Sequence, residues 1–173
     1  TPAKLRNSNG EYVETSKVYP GTYTYYITDE STKDGVWSLP PATIDETSWE
    51  GTSVVAYMPN NPADMVITCK VNNVGSGSYA SAFTGELSNT ENFAFAEDND
   101  FAKSLEFDAE NNTLTVKVKY TPRNNTAESA TATLTLKNAT VPSAEYTFST
   151  ELIASEKYIP DFSLSRTDNT NYI

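Results

Sequence analysis

The amino-acid sequence predicts an all-β chain folded as an antiparallel β-sandwich. Three observations predict it. First, three segments between Leu114 and Leu152 alternate apolar and polar residues with period two, the pattern of half-buried strands. Second, turn-forming residues punctuate the chain at intervals of about 8 to 12 residues, as short-stranded sandwiches require. Third, no long window places apolar residues at helical spacing, and the chain is dense in Thr, Val, Tyr and Asn, which are weak helix formers.

Taken from the N-terminus, residues 1–17 are polar, with Asn9-Gly10 as a turn signal. Pro20-Gly21 breaks the chain before a strand in which Tyr23, Tyr25 and Ile27 share one face. The run Asp29 to Gly35 reads as a loop. Val36, Trp37 and Leu39 form a short strand that Pro40-Pro41 ends. Ile44 and Trp49 follow among acidic and hydroxyl residues, and no strand is assigned there. Ser53 to Met58 (SVVAYM) is a compact apolar strand. Pro59-Asn60-Asn61-Pro62 is the strongest break in the chain.

Ala63 to Val71 is the next strand, and 72–78 (NNVGSGS) is a loop. Phe83 and Leu87 belong to one strand, Phe93 and Phe95 to another. A short helix is expected near Asn99 to Ser104. Leu105 and Phe107 lead into the turn 108–112. Then come the three most regular strands. Leu114, Val116, Val118 and Tyr120 face inward on the first. Ala130, Ala132, Leu134 and Leu136 do so on the second, and Ala144, Tyr146, Phe148 and Leu152 on the third.

The 173 residues suffice for one substantial domain or a smaller one with extensions. Hydrophobic residues are only 38%, but aromatics are 12%, and their large side chains supply core area. The net charge of −11 repels phosphate backbones and anionic membranes, so nucleic-acid partners are not expected. With one Cys and no His, the chain can form no internal disulfide, no His/Cys zinc site and no His-based triad. Cys69 is in phase with Met65, Ile67 and Val71 and reads as a small buried hydrophobe. No apolar run is long enough to span a bilayer. No cofactor is expected. Asn111, Asn124 and Asn138 each open a glycosylation acceptor triplet, which an Asn- and Thr-rich chain produces by chance.

Val71-Asn72-Asn73-Val74-Gly75, Phe93-Ala94-Phe95, the run Val116 to Pro122 (VKVKYTP) and the run Ala132 to Leu136 (ATLTL) follow one another in a characteristic order. In this order and spacing, residues 65–154 resemble the Hydin-type immunoglobulin-like repeats, particularly their variants in surface proteins of the Bacteroidetes. The family usually has Gly before the strand that follows the Tyr-Thr-Pro phrase, where this chain has Ala127-Glu128-Ser129. The resemblance implies an immunoglobulin-like sandwich. Such repeats serve as spacers, adhesive modules and polymer subunits, so the resemblance implies no single activity.

Three groups of residues are candidates for function. Glu97, Asp98 and Asp100 share a loop that could supply oxygen ligands to Ca²⁺, although the calcium-loop pattern is absent and a solvated acidic loop is the favoured reading. Tyr23, Tyr25, Trp37 and Trp49 are aromatic residues that would stack on a glycan or contact a partner if exposed; core packing is the favoured alternative. Tyr158, Phe162 and Leu164 alternate in the C-terminal tail. They suit an edge strand, a linker, or a strand donated to a neighbouring subunit. No catalytic residue is assigned.

The expected organisation is a Tyr-rich β segment over residues 1–58, belonging to the same or a preceding domain. An immunoglobulin-like antiparallel sandwich follows over 59–155, then an edge strand or linker over 156–173. The expected function is that of a non-enzymatic, exported surface protein of a bacterium, acting as a structural or adhesive module, with a filament or multi-domain subunit as its wider setting and the C-terminal tail as a candidate contact for a protein partner or a second copy. The alternative is a glycan-binding module of a surface polysaccharide-utilisation system.

Overall fold

The computed structural model describes residues 4–14, 18, 21–58, 61–73, 83–122, 129–141 and 144–158. The chain is all-β, and its described strands form three sheets. The first comprises β1 (Lys4–Arg6), β2 (Tyr12–Val13), β3 (Gly21–Tyr26) and β4 (Gly35–Leu39), in the order β2-β1-β3-β4. Its pairings are antiparallel throughout.

The other two sheets form an immunoglobulin-like sandwich. One contains β5 (Thr43–Glu50), β7 (Ala63–Asn72), β10 (Leu105–Asp108) and β11 (Thr113–Tyr120), in the order β10-β11-β7-β5. The short β9 (Phe93–Phe95) also pairs with β11. The second sheet contains β6 (Ser53–Met58), β8 (Phe83–Leu87), β12 (Ala130–Val141) and β13 (Ala144–Tyr158), in the order β6-β13-β12-β8. Setting β9 aside, these orders reproduce the A-B-E-D and C-F-G sheets of an immunoglobulin domain. β6 is added to the last strand of the second sheet in parallel.

Period-two alternation becomes burial directly. Leu114, Val116, Val118 and Tyr120 of β11 are buried, as are Ala132, Leu134 and Leu136 of β12 and Phe148, Leu152 and Ala154 of β13. Met65, Ile67, Cys69 and Val71 of β7 join them. Each fully buried Leu, Ile or Val contributes about 1.5–3 kcal/mol relative to exposure. The expected short helix is α1 (Phe101–Ser104). Asp100 caps it by accepting the Ala102 N–H at 2.9 Å.

Residues 43–58, read from sequence with the N-terminal segment, divide between the two sandwich sheets. β5 pairs with β7 and β6 pairs with β13. The Pro59–Pro62 break therefore separates two strands of one sandwich. The crossing occurs at Gly51, whose φ is +72°. β5 itself was not expected because its sequence, TIDETSWE, is mostly polar. Its register with β7 jumps between Asp45 and Glu50. Across that bulge the Ser48 hydroxyl accepts the Lys70 N–H at 2.7 Å, replacing a ladder bond. The buried Asn138 of β12 donates to the Ala42 carbonyl at 2.8 Å, tying the start of β5 to the second sheet. That burial also withdraws Asn138 from the set of accessible glycosylation acceptors.

Candidate functional site

The N-terminal sheet has two unlike faces. On one, Tyr23 lies directly opposite Trp37, with ring centroids 5.7 Å apart and planes 34° apart. Tyr23 is buried, whereas Trp37 remains 39% exposed. Tyr25 is half-buried, and its ring lies over Gly35, where a Cβ would meet the phenol oxygen at 2.3 Å. On the other face the Arg6 guanidinium sits between two rings, 4.4 Å from the centroid of Tyr12 and 4.8 Å from that of Tyr26. Arg6 also donates to the Tyr12 hydroxyl at 2.6 Å. Tyr12 and Lys4 both donate to the Glu30 carboxylate. Their hydrogen bonds hold that carboxyl below the usual range, with Lys4 the larger cause.

The four aromatic candidates therefore have different roles. Trp37 presents an open ring, Tyr23 supports it, and Tyr25 covers a glycine. Trp49 lies at the end of the β5 bulge, partly buried against the core, with its indole Nε1 shielded and without an acceptor. It is not brought together with Trp37.

Two carboxylates of the acidic loop have partners within the chain. Asp98 is paired with Lys103 at 2.6 Å, and Asp100 caps α1. The Glu97 N–H donates to the buried Ser104 hydroxyl at 2.9 Å, fixing the loop by its backbone. Among the described residues no three His, Cys, Asp or Glu side chains converge on one point. Of the three weak calcium candidates, Asp98 thus serves a lysine and Asp100 a helix start. Elsewhere the acids close their own turns. Asp34 accepts from the Ile27 and Thr28 N–H groups, and Asp108 from those of Glu110 and Asn111.

Tyr158 is the last residue of β13 and pairs with Met58 of the same chain. It belongs to this chain's own sheet, while Phe162 and Leu164 lie outside the described residues. What sequence reasoning missed is the partner of that pairing. Among the described residues β6 lies at the border of its sheet, with one edge on β13 and no strand on the other. Its Val55 and Tyr57 are 41% and 47% exposed, and Ile153 beside it on β13 is 40% exposed. The compact apolar run in SVVAYM was the available signal, but neither the open edge nor the outward face can be read before the sheet order is known.

Among the described residues no helix is long and apolar enough to cross a membrane. No protein-family model matches the chain, and no curated protein does. Two of the solved structures similar to it are pilin subunits. One is a variant of BcpA, the major pilin subunit of Bacillus cereus. It is 12% identical, with a TM-score of 0.28, over 89% of this chain and 64% of that one. The other is BcpA itself, 10% identical with a TM-score of 0.30, over 89% and 63%. The chain thus spans a little less than two thirds of the length of those proteins.

Proposed function

We propose that the chain is a non-enzymatic structural or adhesive module of an exported bacterial surface protein, built to carry tension. The observation that carries this reading is the parallel ladder between β6 and β13, from Ser53↔Ile153 to Met58↔Tyr158. The chain enters this ladder before Ser53 and leaves it after Tyr158. Pulling on those two flanks loads parallel strands in opposite directions along their axes. All the ladder hydrogen bonds then share the load, whereas an antiparallel hairpin pulled from its open end breaks them one by one. The resemblance of residues 65–154 to Hydin-type repeats, which serve as spacers, adhesive modules and polymer subunits, is in keeping with this reading.

The test is forced unfolding of single molecules. The Ile153 N–H donates to the Thr52 carbonyl at 2.9 Å, so Val54 shares the phase that faces β13. Val54→Pro removes a bond from the ladder and lowers the unfolding force. Val55→Pro, in the opposite phase, lowers it much less. Equal effects of the two substitutions, or no effect of either, would sink the reading, because forced unfolding is governed by the unfolding barrier.

A second reading, a glycan-binding module, is favoured by the exposed ring of Trp37 over its buried partner Tyr23. Titration of intrinsic fluorescence with polysaccharides tests it. A response that Trp37→Ala abolishes and Trp49→Phe preserves supports it. A response that survives Trp37→Ala refutes this site.

A further inference from the structure

We propose that β6 pairs antiparallel with the β6 of a second copy across a two-fold axis, joining two sandwiches into one continuous sheet. This goes beyond the load-bearing reading, which concerns the opposite edge of the same strand. In the parallel ladder the Thr52 carbonyl faces β13. Backbone groups of a strand alternate in direction, so those of Ser53, Val55 and Tyr57 face the open edge. Only another strand offers donors and acceptors at that repeat.

The charge pattern selects the occupant. This chain carries −11, so two copies repel wherever like carboxylates meet. Three other border strands carry carboxylates. β10 carries Asp108 beside Glu106, which pairs with Lys117; β8 carries Glu86, 3.9 Å from Lys137; and β5 carries Asp45, Glu46 and Glu50. The border strand β4 is uncharged but lies between Asp34 and Pro40-Pro41. β6 has no charge over six residues, and its outward residues Val55 and Tyr57 are apolar. Antiparallel pairing about a two-fold axis is self-complementary. It places the two Val55–Tyr57 sets on the same face, as an aromatic and β-branched cluster.

The experiment is light scattering of the full chain as concentration rises, with circular dichroism confirming each variant's fold. The wild type is expected to rise from 19.0 kDa towards twice that mass. The double variant Val55→Lys, Tyr57→Lys should remain at the monomer mass, and so should the single variant Ser53→Glu. Val66→Lys, on an exposed apolar residue of the other sheet, should associate like the wild type. So should Phe162→Ser, Leu164→Ser. A wild type that stays monomeric up to its solubility limit overturns the proposal. Undiminished association of both β6 variants overturns it too, as does association lost only in the tail variant, which would assign the contact to a donated tail.

Discussion

The phenol hydroxyl of Tyr120 donates a hydrogen bond to the carboxylate of Glu156, joining β11 in one sheet of the sandwich to β13 in the other. Tyr120 is fully buried and its ring packs on Phe93, with centroids 5.0 Å apart. Burial and then the carboxylate raise the phenol pKa above its ordinary value. Tyr120→Phe keeps the ring packing and removes one donor from Glu156. A hydrogen bond to a charged group contributes about 1.5–3 kcal/mol. Urea unfolding should show a loss of that size, and a double-mutant cycle with Glu156→Gln should show coupling. Additive effects would mean that the two groups act independently.

The same pair sets an alkaline limit. An unfolded phenol titrates near 10. Because the folded pKa is higher, this contribution is complete below about pH 10 and declines as the pH rises towards the folded pKa. Tyr120→Phe should therefore lose less stability than the wild type between about pH 9 and 11. Identical alkaline profiles would refute the assignment.

Gly51, where the chain passes from one sheet to the other, should tolerate no side chain. Its φ of +72° is left-handed, and a Cβ there would lie 1.9 Å from the Val66 carbonyl oxygen. The backbone conformation alone costs an L-residue about 1–2 kcal/mol, and relief of the overlap must displace β7. Thermal unfolding of Gly51→Ala should show a larger loss than that figure. A melting temperature equal to that of the wild type would contradict the geometry.

Low pH should destabilise the chain through its turn carboxylates. Hydrogen bonds lower the pKa values of Asp29, Asp34, Asp45 and Asp108. The principal donors are Ser31, the Ile27 N–H, Thr47 and Asn111 respectively. A depressed folded value gives stability that is present above the unfolded pKa, near 3.9, and lost as the pH falls through the folded one. Urea midpoints should therefore fall below about pH 4. Asp34→Asn combined with Asp108→Asn should flatten that fall, and an unchanged acid slope would count against these turns.

The Cys69 thiol should be inert in the native protein. It is 2% exposed, and burial pushes its pKa up to about 12. A chromogenic disulfide reagent at neutral pH should react only after denaturant unfolds the chain. Rapid native labelling would place the thiol at the surface.

The sandwich was legible because burial on one face of a strand leaves a period-two trace. Leu114 to Tyr120 and Ala130 to Leu136 show that trace, and it holds whatever strand lies alongside. β5 left no such trace. Its central residues bulge away from β7, and its hydrogen bonds depend on Ser48 meeting Lys70, which are 22 residues apart. β1 and β2 were hidden for a related reason: ring and guanidinium contacts over Arg6 hold them, with no apolar stripe.

The sequence by itself determined that the chain is all-β, that Cys69 is buried, and that Leu114 to Leu152 forms successive strands, because local alternation and composition carry those facts. Only the tertiary structure decided that Ser53–Met58 runs parallel to the end of β13, that Asn138 reaches Ala42, and that Asp98 serves a lysine and Asp100 a helix cap. Those relationships join residues separated by a whole fold or depend on where a side chain points. Sheet order also decides which strand edge stays open, and that property belongs to no segment considered alone.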